Sequence, residues 1–480
     1  MNPIQIDVAV VGAGTAGMAA YRAARAHTES VLLIEGGTYG TTCARVGCMP
    51  SKLLIAAAHA AHQARHTEPF GVQVVGIAID GAAVMARVQR ERDRFVGFVL
   101  ETVNAITPSA RLAAKVHFQD ANTLVTEQGW SFHAQRIVIA TGSTPVLPPL
   151  LKGLGAHLLT NETIFDLPTL PKSLAVFGPG PLGIELAQAM SRLGVNVKVF
   201  GIGGGIAGIH DPAIRDYAHK VFDAEFYLDA NAQVKSVTET ATGIDIHYQH
   251  QDGNWQTESF DYVLAATGRL PNVAGLTLEN TGLQLDEHGV PVFDRFTLQC
   301  GNSSIFVAGD ASNDAPLLHE AADQGRIAGD NAGRYPDSRS GLRRTPLAIV
   351  FTEPQVASVG LNLKQLNQYF KDRFAQGVVS FEDQGRSRVM LRNQGILKVY
   401  GEHGSGLFLG AEMFGPDAEH IAHLLAWAAQ QRMTVSEMLD MPFYHPVIEE
   451  GLRTALRELS SNLHIGPPVV ERCMDCGPGA

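Results

Sequence analysis

The chain has 480 residues, of which 45% are hydrophobic and 18% charged, and its formal net charge is −11. This composition predicts a folded chain of several domains and excludes wholesale disorder. The negative charge argues against nucleic acid as a partner, and no apolar run reaches the length of a transmembrane helix. Because a strand is predicted from Ile4 onward, with no leader segment before it, we expect a cytoplasmic protein that binds neither nucleic acid nor membrane.

The chain opens with a strand–turn–helix–strand unit of the kind that binds dinucleotides. Apolar residues from Ile6 to Val11 predict the first strand, a helix follows to about His27, and a second strand ends at Ile34. Three glycines in the turn and one acid after the second strand are candidate cofactor-binding residues: Gly12, Gly14, Gly17 and Glu35. The glycines permit a tight turn, close approach of a pyrophosphate and helix–strand packing, and the acid can accept a ribose hydroxyl.

Two cysteines follow this unit directly and are the most informative residues of the sequence. Cys43 and Cys48 have four residues between them, and a helix is predicted to start at Pro50. Cys48 would then lie at a helix N-terminus near Lys52, where the helix dipole and the ammonium group favour a thiolate. A redox-active disulfide is the favoured interpretation. A structural disulfide and a zinc site are the alternatives, although no other Cys or His lies close enough in sequence to complete a zinc site.

Two further groups of ligand-type residues are present. His59, His62 and His66 share one face of the predicted helix after the cysteines, and a polar helix face is favoured there over a metal site, so we expect no metal. Cys473 and Cys476 lie near the chain end in a Gly/Pro-rich tail. They are either a second redox relay or incidental exposed thiols, and the sequence leaves this open.

The dinucleotide-binding pattern occurs a second time. Strands are predicted over Ser173–Phe177 and Asn196–Phe200, with a helix from Ile184 to Leu193 between them. The turn again carries three glycines, at Gly178, Gly180 and Gly183. Two such units predict two nucleotide cofactors. Gly201, however, stands where an acid for the ribose is expected, and the loop after it contains no arginine suited to a 2′-phosphate.

Three more predicted strands end in candidate cofactor-binding residues. The residues in question are Thr141 and Gly142, Gly268 and Arg269, and Gly309 and Asp310. Asp310 could hold a cofactor hydroxyl, although an aspartate in a turn is an alternative interpretation.

The predicted fold is α/β, with two Rossmann-like dinucleotide-binding domains and a C-terminal α+β domain. The pattern of predicted strands and helices changes near Thr345, and the proline-rich stretch Thr144–Pro171 is predicted to cross from one domain to the next. We therefore expect a first cofactor domain at 1–150, a second at 151–275, a central segment at 276–344 that completes the first cofactor site, and a C-terminal domain at 345–480.

Together these motifs resemble those of the class I pyridine nucleotide–disulfide oxidoreductases, which include dihydrolipoamide dehydrogenase, glutathione reductase and mercuric reductase. His445, followed five residues later by Glu450, matches the family's C-terminal motif, and the resemblance covers essentially the whole chain. It implies FAD in the first domain and NAD(H) as cosubstrate in the second. It also implies a homodimer, because the C-terminal domains of this family form the dimer interface.

The resemblance also implies roles for the candidate catalytic residues. Cys48 resembles the thiol that lies against the flavin, and Cys43 resembles the thiol that exchanges with the substrate. Lys52 and Glu185 match an ion pair near the flavin. His445 would act as general acid–base, oriented by Glu450 and supplied by the partner subunit.

Within the family, we expect oxidation of dihydrolipoamide by NAD⁺, because residues 316–325 resemble a dihydrolipoamide dehydrogenase segment and mercuric reductases usually have Tyr where this chain has His445. The partner would be a small dithiol or disulfide, or the lipoyl domain of a 2-oxo acid dehydrogenase complex. The second glycine turn departs from that branch, with Pro181 and Leu182, as does Gly201. Another disulfide or metal-ion reductase, or a flavin-bound NADH sensor, therefore remains an alternative. We expect NADH to be preferred over NADPH, with weak discrimination.

Overall fold

The computed structural model describes residues 3–465, and Cys473 and Cys476 lie outside them. The first cofactor unit and the segments after it comprise β1 (Ile4–Val11), α1 (Thr15–Arg25), β2 (Val31–Glu35), α2 (Thr42–Val46), α3 (Cys48–Arg65), α4 (Gly81–Asn104), β3 (Arg111–Ala113), β4 (Val116–Asp120), β5 (Thr123–Thr126) and β6 (Ser131–Ile139). The predicted strand–turn–helix–strand order is present.

The second unit follows a proline-rich crossover. Its elements are β7 (Ser143–Pro145), β8 (Leu158–Leu159), β9 (Ser173–Phe177), α5 (Pro181–Arg192), β10 (Asn196–Phe200), α6 (Pro212–Asp223), β11 (Tyr227–Asp229), β12 (Gln233–Glu239), β13 (Ile244–Gln249), β14 (Trp255–Phe260), β15 (Tyr262–Ala265) and β16 (Arg269–Pro271). Helix α5 begins at Pro181, earlier than the predicted Ile184, because proline fits the first turn of a helix, where its missing N–H is not needed.

The remaining elements are β17 (Ile305–Val307), α7 (Leu318–Arg334), β18 (Leu347–Val350), β19 (Gln355–Gly360), α8 (Leu363–Tyr369), β20 (Phe374–Ser380), α9 (Gly385–Val389), β21 (Ile396–Glu402), β22 (Phe408–Gly415), α10 (Ala418–Gln430), α11 (Val435–Leu439) and α12 (Glu450–Leu463). The C-terminal strands form one antiparallel sheet in the order β18-β19-β22-β21-β20, with α10 and α12 packed on it. The predicted combination of two Rossmann-like units and an α+β domain is confirmed.

The two cofactor units are built on separate sheets. The first has the order β3-β2-β1-β6-β5-β4, and β17 adds to β6 in parallel, so the chain returns to this sheet after completing the second unit. The second sheet, β11-β10-β9-β15-β8, is entirely parallel. Parallel strands place their carboxyl ends at one edge, which is where both glycine turns lie and where ligands bind in folds of this kind.

Helices α1 and α7 cross at very short range over the first sheet. A Cβ atom added at Gly325 would lie 2.1 Å from the carbonyl oxygen of Ala16, and one at Gly329 would lie 2.2 Å from that of Ala20. Only glycine permits this approach of two backbones. The crossing holds α1, which follows the first glycine turn, against the segment that carries Gly309 and Asp310.

Candidate functional site

The two cysteines of the first unit lie next to each other as free thiols. The Cys43 side chain hydrogen-bonds to Cys48, which is the first residue of α3. This hydrogen bond, assisted by the positive charge of Lys52, lowers the pKa of Cys48 to about 7. The same hydrogen bond, with burial, raises the pKa of Cys43 above its ordinary value. Cys48 is therefore the more acidic thiol of the pair, and Cys43 stays protonated. The position of Cys48 at a helix N-terminus agrees with this, because such a position favours a thiolate.

Lys52 and Glu185 join α3 to α5. The Lys52 ammonium donates to Glu185 Oε1 at 3.0 Å and Oε2 at 2.8 Å, and Glu185 is almost fully buried. The backbone N–H of Phe351 donates to Glu185 Oε1 at 2.7 Å, and its ring centroid lies 4.6 Å from Lys52 Nζ. The predicted pair is thus present, and Phe351 is a third member that no local pattern in the sequence indicates.

The first glycine turn is shaped for a pyrophosphate. A Cβ atom at Gly12 would lie 2.2 Å from the Ala140 carbonyl oxygen, whereas one at Gly14 would meet nothing within 4 Å. Gly14 precedes α1, and no side chain caps that helix, so its first N–H groups can bind an anion. Glu35 Oε2 accepts the Ala13 N–H at 2.7 Å, which places its carboxylate at the turn. A Cβ atom at Gly17 would lie 1.7 Å from the Gly12 carbonyl oxygen.

A polar cluster lies at the carboxyl ends of β6 and β17. Ser143 Oγ donates to Asp310 Oδ2 at 2.7 Å and accepts from Arg269 Nε at 2.8 Å. Gly309, in a left-handed conformation with φ +70°, donates its N–H to the Gln324 side chain. The Thr141 hydroxyl is buried without a hydrogen-bond partner, and such a group points to a ligand or water beside it.

The same cluster brings together predicted residues from distant parts of the chain. The predicted residues in it are Thr141, Gly142, Arg269, Gly309 and Asp310. Ser143, Asn161 and Gln324, which sequence reasoning did not single out, complete it through side-chain hydrogen bonds. This arrangement, with the orphaned Thr141 hydroxyl and the open turn at Gly14, fits a dinucleotide that extends along the first sheet edge.

The second glycine turn repeats the geometry of the first. Gly178 has φ +104°, and a Cβ atom there would lie 2.4 Å from the Ala266 carbonyl oxygen. A Cβ atom at Gly180 would meet nothing within 4 Å, and one at Gly183 would lie 1.9 Å from the Gly178 carbonyl oxygen. Gly268, with φ +105° and open space at its Cβ position, accepts a hydrogen bond from the Val146 N–H. The turn is therefore open for a second nucleotide.

The C-terminal dyad is formed within the chain but faces outward. His445 Nδ1 lies 2.9 Å from Glu450 Oε1, and the histidine side chain is 77% exposed, whereas Glu450 is buried at the start of α12. Among residues 3–465, no hydrogen bond or ion pair connects this dyad to Cys43 or Cys48 of the same chain. A buried carboxylate that holds one ring nitrogen leaves Nε2 free to exchange a proton.

The histidines on α3 do not form a metal site with their neighbours. Burial lowers the pKa of His62 to about 4, and His66 Nδ1 bonds to the His62 carbonyl oxygen. Across the part of the chain that the structure describes, no group of three or more His, Cys, Asp or Glu residues is placed to hold a metal ion. No helix within residues 3–465 is long and apolar enough to cross a membrane.

Comparison with known proteins agrees with this geometry. Residues 6–325 match the family model described as pyridine nucleotide-disulphide oxidoreductase, and residues 347–456 match the dimerisation domain of that family. The chain belongs to the pyridine nucleotide–disulfide oxidoreductase family. Its chemistry is therefore flavin-dependent disulfide oxidoreduction with FAD and NAD(P)H as cofactors, and the dimerisation domain supports a homodimer.

Similar proteins of known activity include dihydrolipoyl dehydrogenases and mercuric reductases. The chain is 30% identical to a dihydrolipoyl dehydrogenase of Geobacillus stearothermophilus, covering 96% of this chain and 98% of the relative. It is 31% identical to a mercuric reductase of Shigella flexneri, covering 95% and 81%. The solved structure of LpdA from Mycobacterium tuberculosis superposes with a TM-score of 0.80 at 26% identity, covering 95% and 100%. These identities establish the family but leave the substrate open.

Proposed function

We propose that this chain is a dihydrolipoyl dehydrogenase-like enzyme that oxidises a small dithiol, with dihydrolipoamide as the preferred substrate and a nicotinamide coenzyme as electron acceptor. The observation that carries the proposal is the His445–Glu450 dyad, at 2.9 Å with an exposed imidazole. A dithiol must lose protons before its sulfur can attack a disulfide, whereas a metal ion brings none. The dyad therefore favours dithiols over Hg(II).

The thiol exchange follows from the properties of the two cysteines. In the oxidised enzyme Cys43 and Cys48 form a disulfide. His445 takes a proton from the first substrate thiol, whose sulfur attacks Cys43 and expels Cys48 as a thiolate. Cys48 is suited to leave because its pKa is about 7 and Lys52 stabilises its charge.

The second substrate thiol then closes the cycle. It attacks the substrate sulfur that is bound to Cys43, and the substrate leaves as a disulfide. His445 passes the first proton to the departing Cys43 sulfur, takes the proton of the second thiol and releases it to water. The raised pKa of Cys43 fits a thiol that stays protonated after this step. FAD bound along the first sheet edge would supply the two-electron carrier between the Cys43–Cys48 dithiol and the nicotinamide. Lys52, held by Glu185 and lying over the Phe351 ring, would keep its positive charge close to Cys48.

We infer that the dyad acts on the cysteines of a second copy of the chain, since its imidazole is exposed and no hydrogen bond or ion pair among residues 3–465 joins it to its own cysteines. The buried Glu450 fixes the imidazole, so the partner would present Nε2 without rearrangement. Instead of a small dithiol, the partner could be the lipoyl domain of a 2-oxo acid dehydrogenase complex, which would undergo the same dithiol exchange.

A steady-state panel tests the proposal. Dihydrolipoamide, glutathione and Hg(II), each assayed in its productive direction, should give the highest kcat/KM for dihydrolipoamide. His445→Ala should slow dithiol turnover by about 10²–10⁴-fold, and His288→Ala, an exposed histidine far from His445 in the sequence, serves as the matched control. Turnover with Hg(II) that exceeds dihydrolipoamide turnover and survives His445→Ala would refute the proposal and favour a metal-ion reductase.

A further inference from the structure

A buried amide of the C-terminal domain contacts the segment that carries the dyad. Gln384 is 1% exposed and lies directly before α9. Its Nε2 donates to the carbonyl oxygen of Val447 at 2.8 Å, although the two residues are 63 positions apart in the sequence. A Cβ atom at Gly451 would lie 3.7 Å from Gln384 Cγ. Gln384 is therefore packed against the stretch of chain that runs from His445 to Glu450.

Val447 is held through both of its backbone polar groups. Glu450 Oε2 accepts the Val447 N–H at 3.1 Å, and the same oxygen lies 3.2 Å from His445 Nδ1. Gln384 binds the carbonyl oxygen of Val447 from the other side. The His445 side chain is largely exposed, so packing around the imidazole contributes little to its orientation. The backbone two residues after His445 is thus fixed between α12 and the start of α9.

The Gln384 amide is itself fixed by the core of the C-terminal domain. Gln384 Oε1 accepts the N–H of Ser387 at 2.7 Å. The Ser387 hydroxyl is fully buried and lies 2.9 Å from the carbonyl oxygens of Phe381 and Gln384. Phe381 is a fully buried member of the core between the C-terminal sheet and its helices. The amide therefore approaches Val447 from a support that is ordered before any substrate binds.

The residue type at this position agrees with a second role besides capping. Gln384 is the N-cap residue of α9, where Asn, Asp, Ser and Thr are the usual residues. Glutamine is one methylene longer than asparagine, and this amide both caps α9 and reaches Val447. Capping the third helical N–H does not require the extra length, whereas the contact with Val447 does.

We propose that Gln384 is a positioning residue for thiol exchange. By holding Val447, it keeps the His445 imidazole in the orientation in which Nε2 can meet a substrate thiol. The inference deepens the proposed function and rests on it, because Gln384 acts only through the dyad and does not contact the substrate or the flavin. Misplacement of a catalytic group by about 1 Å can cost up to about 10²-fold in rate, so the loss of this hydrogen bond should be measurable.

Stopped-flow reduction of the full-length, FAD-loaded enzyme separates the two half-reactions. Dihydrolipoamide reduces the Cys43–Cys48 disulfide with the help of the dyad, whereas NADH reduces the flavin without it. Gln384→Asn keeps a capping amide but is too short to reach Val447. We expect reduction by dihydrolipoamide to slow about tenfold at saturation, because one hydrogen bond of ordinary strength corresponds to a factor of this order. Reduction by NADH should stay within about twofold of the wild-type rate.

Two further variants separate positioning from stability. Ser387→Ala removes a buried hydroxyl from α9 but leaves the hydrogen bond between Gln384 and Val447 in place. It should lower the Tm and leave both half-reactions within about twofold of the wild type. Gln384→Met removes the cap and the contact with Val447 together, so it should lower the Tm and also slow reduction by dihydrolipoamide about tenfold.

Combination with a dyad variant tests whether Gln384 acts through His445. When Gln384→Asn is added to His445→Ala, reduction by dihydrolipoamide should slow by no more than about twofold, because no imidazole remains to be positioned. A residue that only stabilises the fold would slow the reaction about tenfold in both backgrounds.

Four results would overturn the proposal: a wild-type rate in Gln384→Asn, an equal loss in reduction by NADH, an equal loss in Ser387→Ala, or an undiminished effect in the His445→Ala background. If His445→Ala alone leaves reduction by dihydrolipoamide unchanged, the proposed function fails together with the role of Gln384. If His445→Ala slows that reaction and Gln384→Asn does not, only the role of Gln384 fails. Dithiothreitol is the second dithiol in every measurement, so the role of Gln384 is tested even if dihydrolipoamide does not react.

Discussion

Replacing Lys52 with methionine should raise the pKa of the Cys48 thiol. The structure lowers that pKa to about 7 through the hydrogen bond from Cys43 and the charge of Lys52, while burial and Glu185 act in the opposite direction. An opposite charge at this range shifts a pKa by about one unit or more. The thiolate fraction of Cys48 at pH 7 should therefore fall from about one half to about one tenth. Methionine keeps most of the side-chain volume, so the change tests charge more than packing.

The assay follows the long-wavelength absorbance that we expect from a Cys48 thiolate lying against the flavin. The band is present above the pKa of Cys48 and disappears as the pH falls through it. In the reduced wild-type enzyme the midpoint should lie near pH 7, and in Lys52→Met it should lie about one unit higher. Lys364→Met provides an exposed-lysine control with an unchanged midpoint.

Removing the neighbouring negative charge should have the opposite effect. Glu185 raises the pKa of Cys48, so Glu185→Gln should move the midpoint below that of the wild type. Glutamine can still accept the Phe351 N–H and so preserves that contact. Midpoints that move in the same direction in both variants, or that do not move in Lys52→Met, would refute the electrostatic reasoning.

Four further predictions concern the thiols, the dyad and Phe351. Cys48→Ser should abolish the long-wavelength band, whereas Cys43→Ser should keep it and lose disulfide turnover; a surviving band in Cys48→Ser would reverse these roles. His445→Ala should slow disulfide turnover by about 10²–10⁴-fold, and stopped-flow reduction of the flavin by the coenzyme should be unaffected, while equal losses in both would indicate a structural role. Mixed dimers of Cys43→Ser and His445→Ala subunits should recover about half of the wild-type activity, because one of their two sites is intact, and no recovery would place the dyad in the same chain as its cysteines. Phe351→Leu should slow turnover about two- to fivefold through loss of the cation–π contact with Lys52, and a wild-type rate would show that the backbone N–H alone suffices.

The local motifs could be predicted from the sequence because each depends on residues close together in the chain. The first glycine turn, the acid Glu35 and the position of Cys48 at the start of α3 all follow from glycine spacing and from the change of periodicity between strand and helix. The His445–Glu450 pair follows in the same way, since five residues separate the two. Whether Cys473 and Cys476 form a relay stays a prediction, as they lie outside the described residues.

Contacts between distant segments could not be read from the sequence. Phe351 reaches Glu185 and Lys52 because the first strand of the C-terminal sheet ends beside α5, and nothing local to Phe351 signals it. Ser143 and Gln324 join Asp310 and Gly309 through the same long-range return of the chain. Sequence separation carries no information about such hydrogen bonds, which depend on how whole elements pack.

The sequence by itself determined the family, the order of the two cofactor units and the residues of the thiol pair, since backbone turns and helix termini are local properties of the chain. The tertiary structure decided the environment of the second unit. Gly201 shows that an acid is absent, but only the folded chain brings Arg215, Asp216 and Lys220 of α6 into one cavity with Gly203 and Gly204. The side chains that surround a ligand come from separate elements, and their combined charge exists only once those elements have packed together.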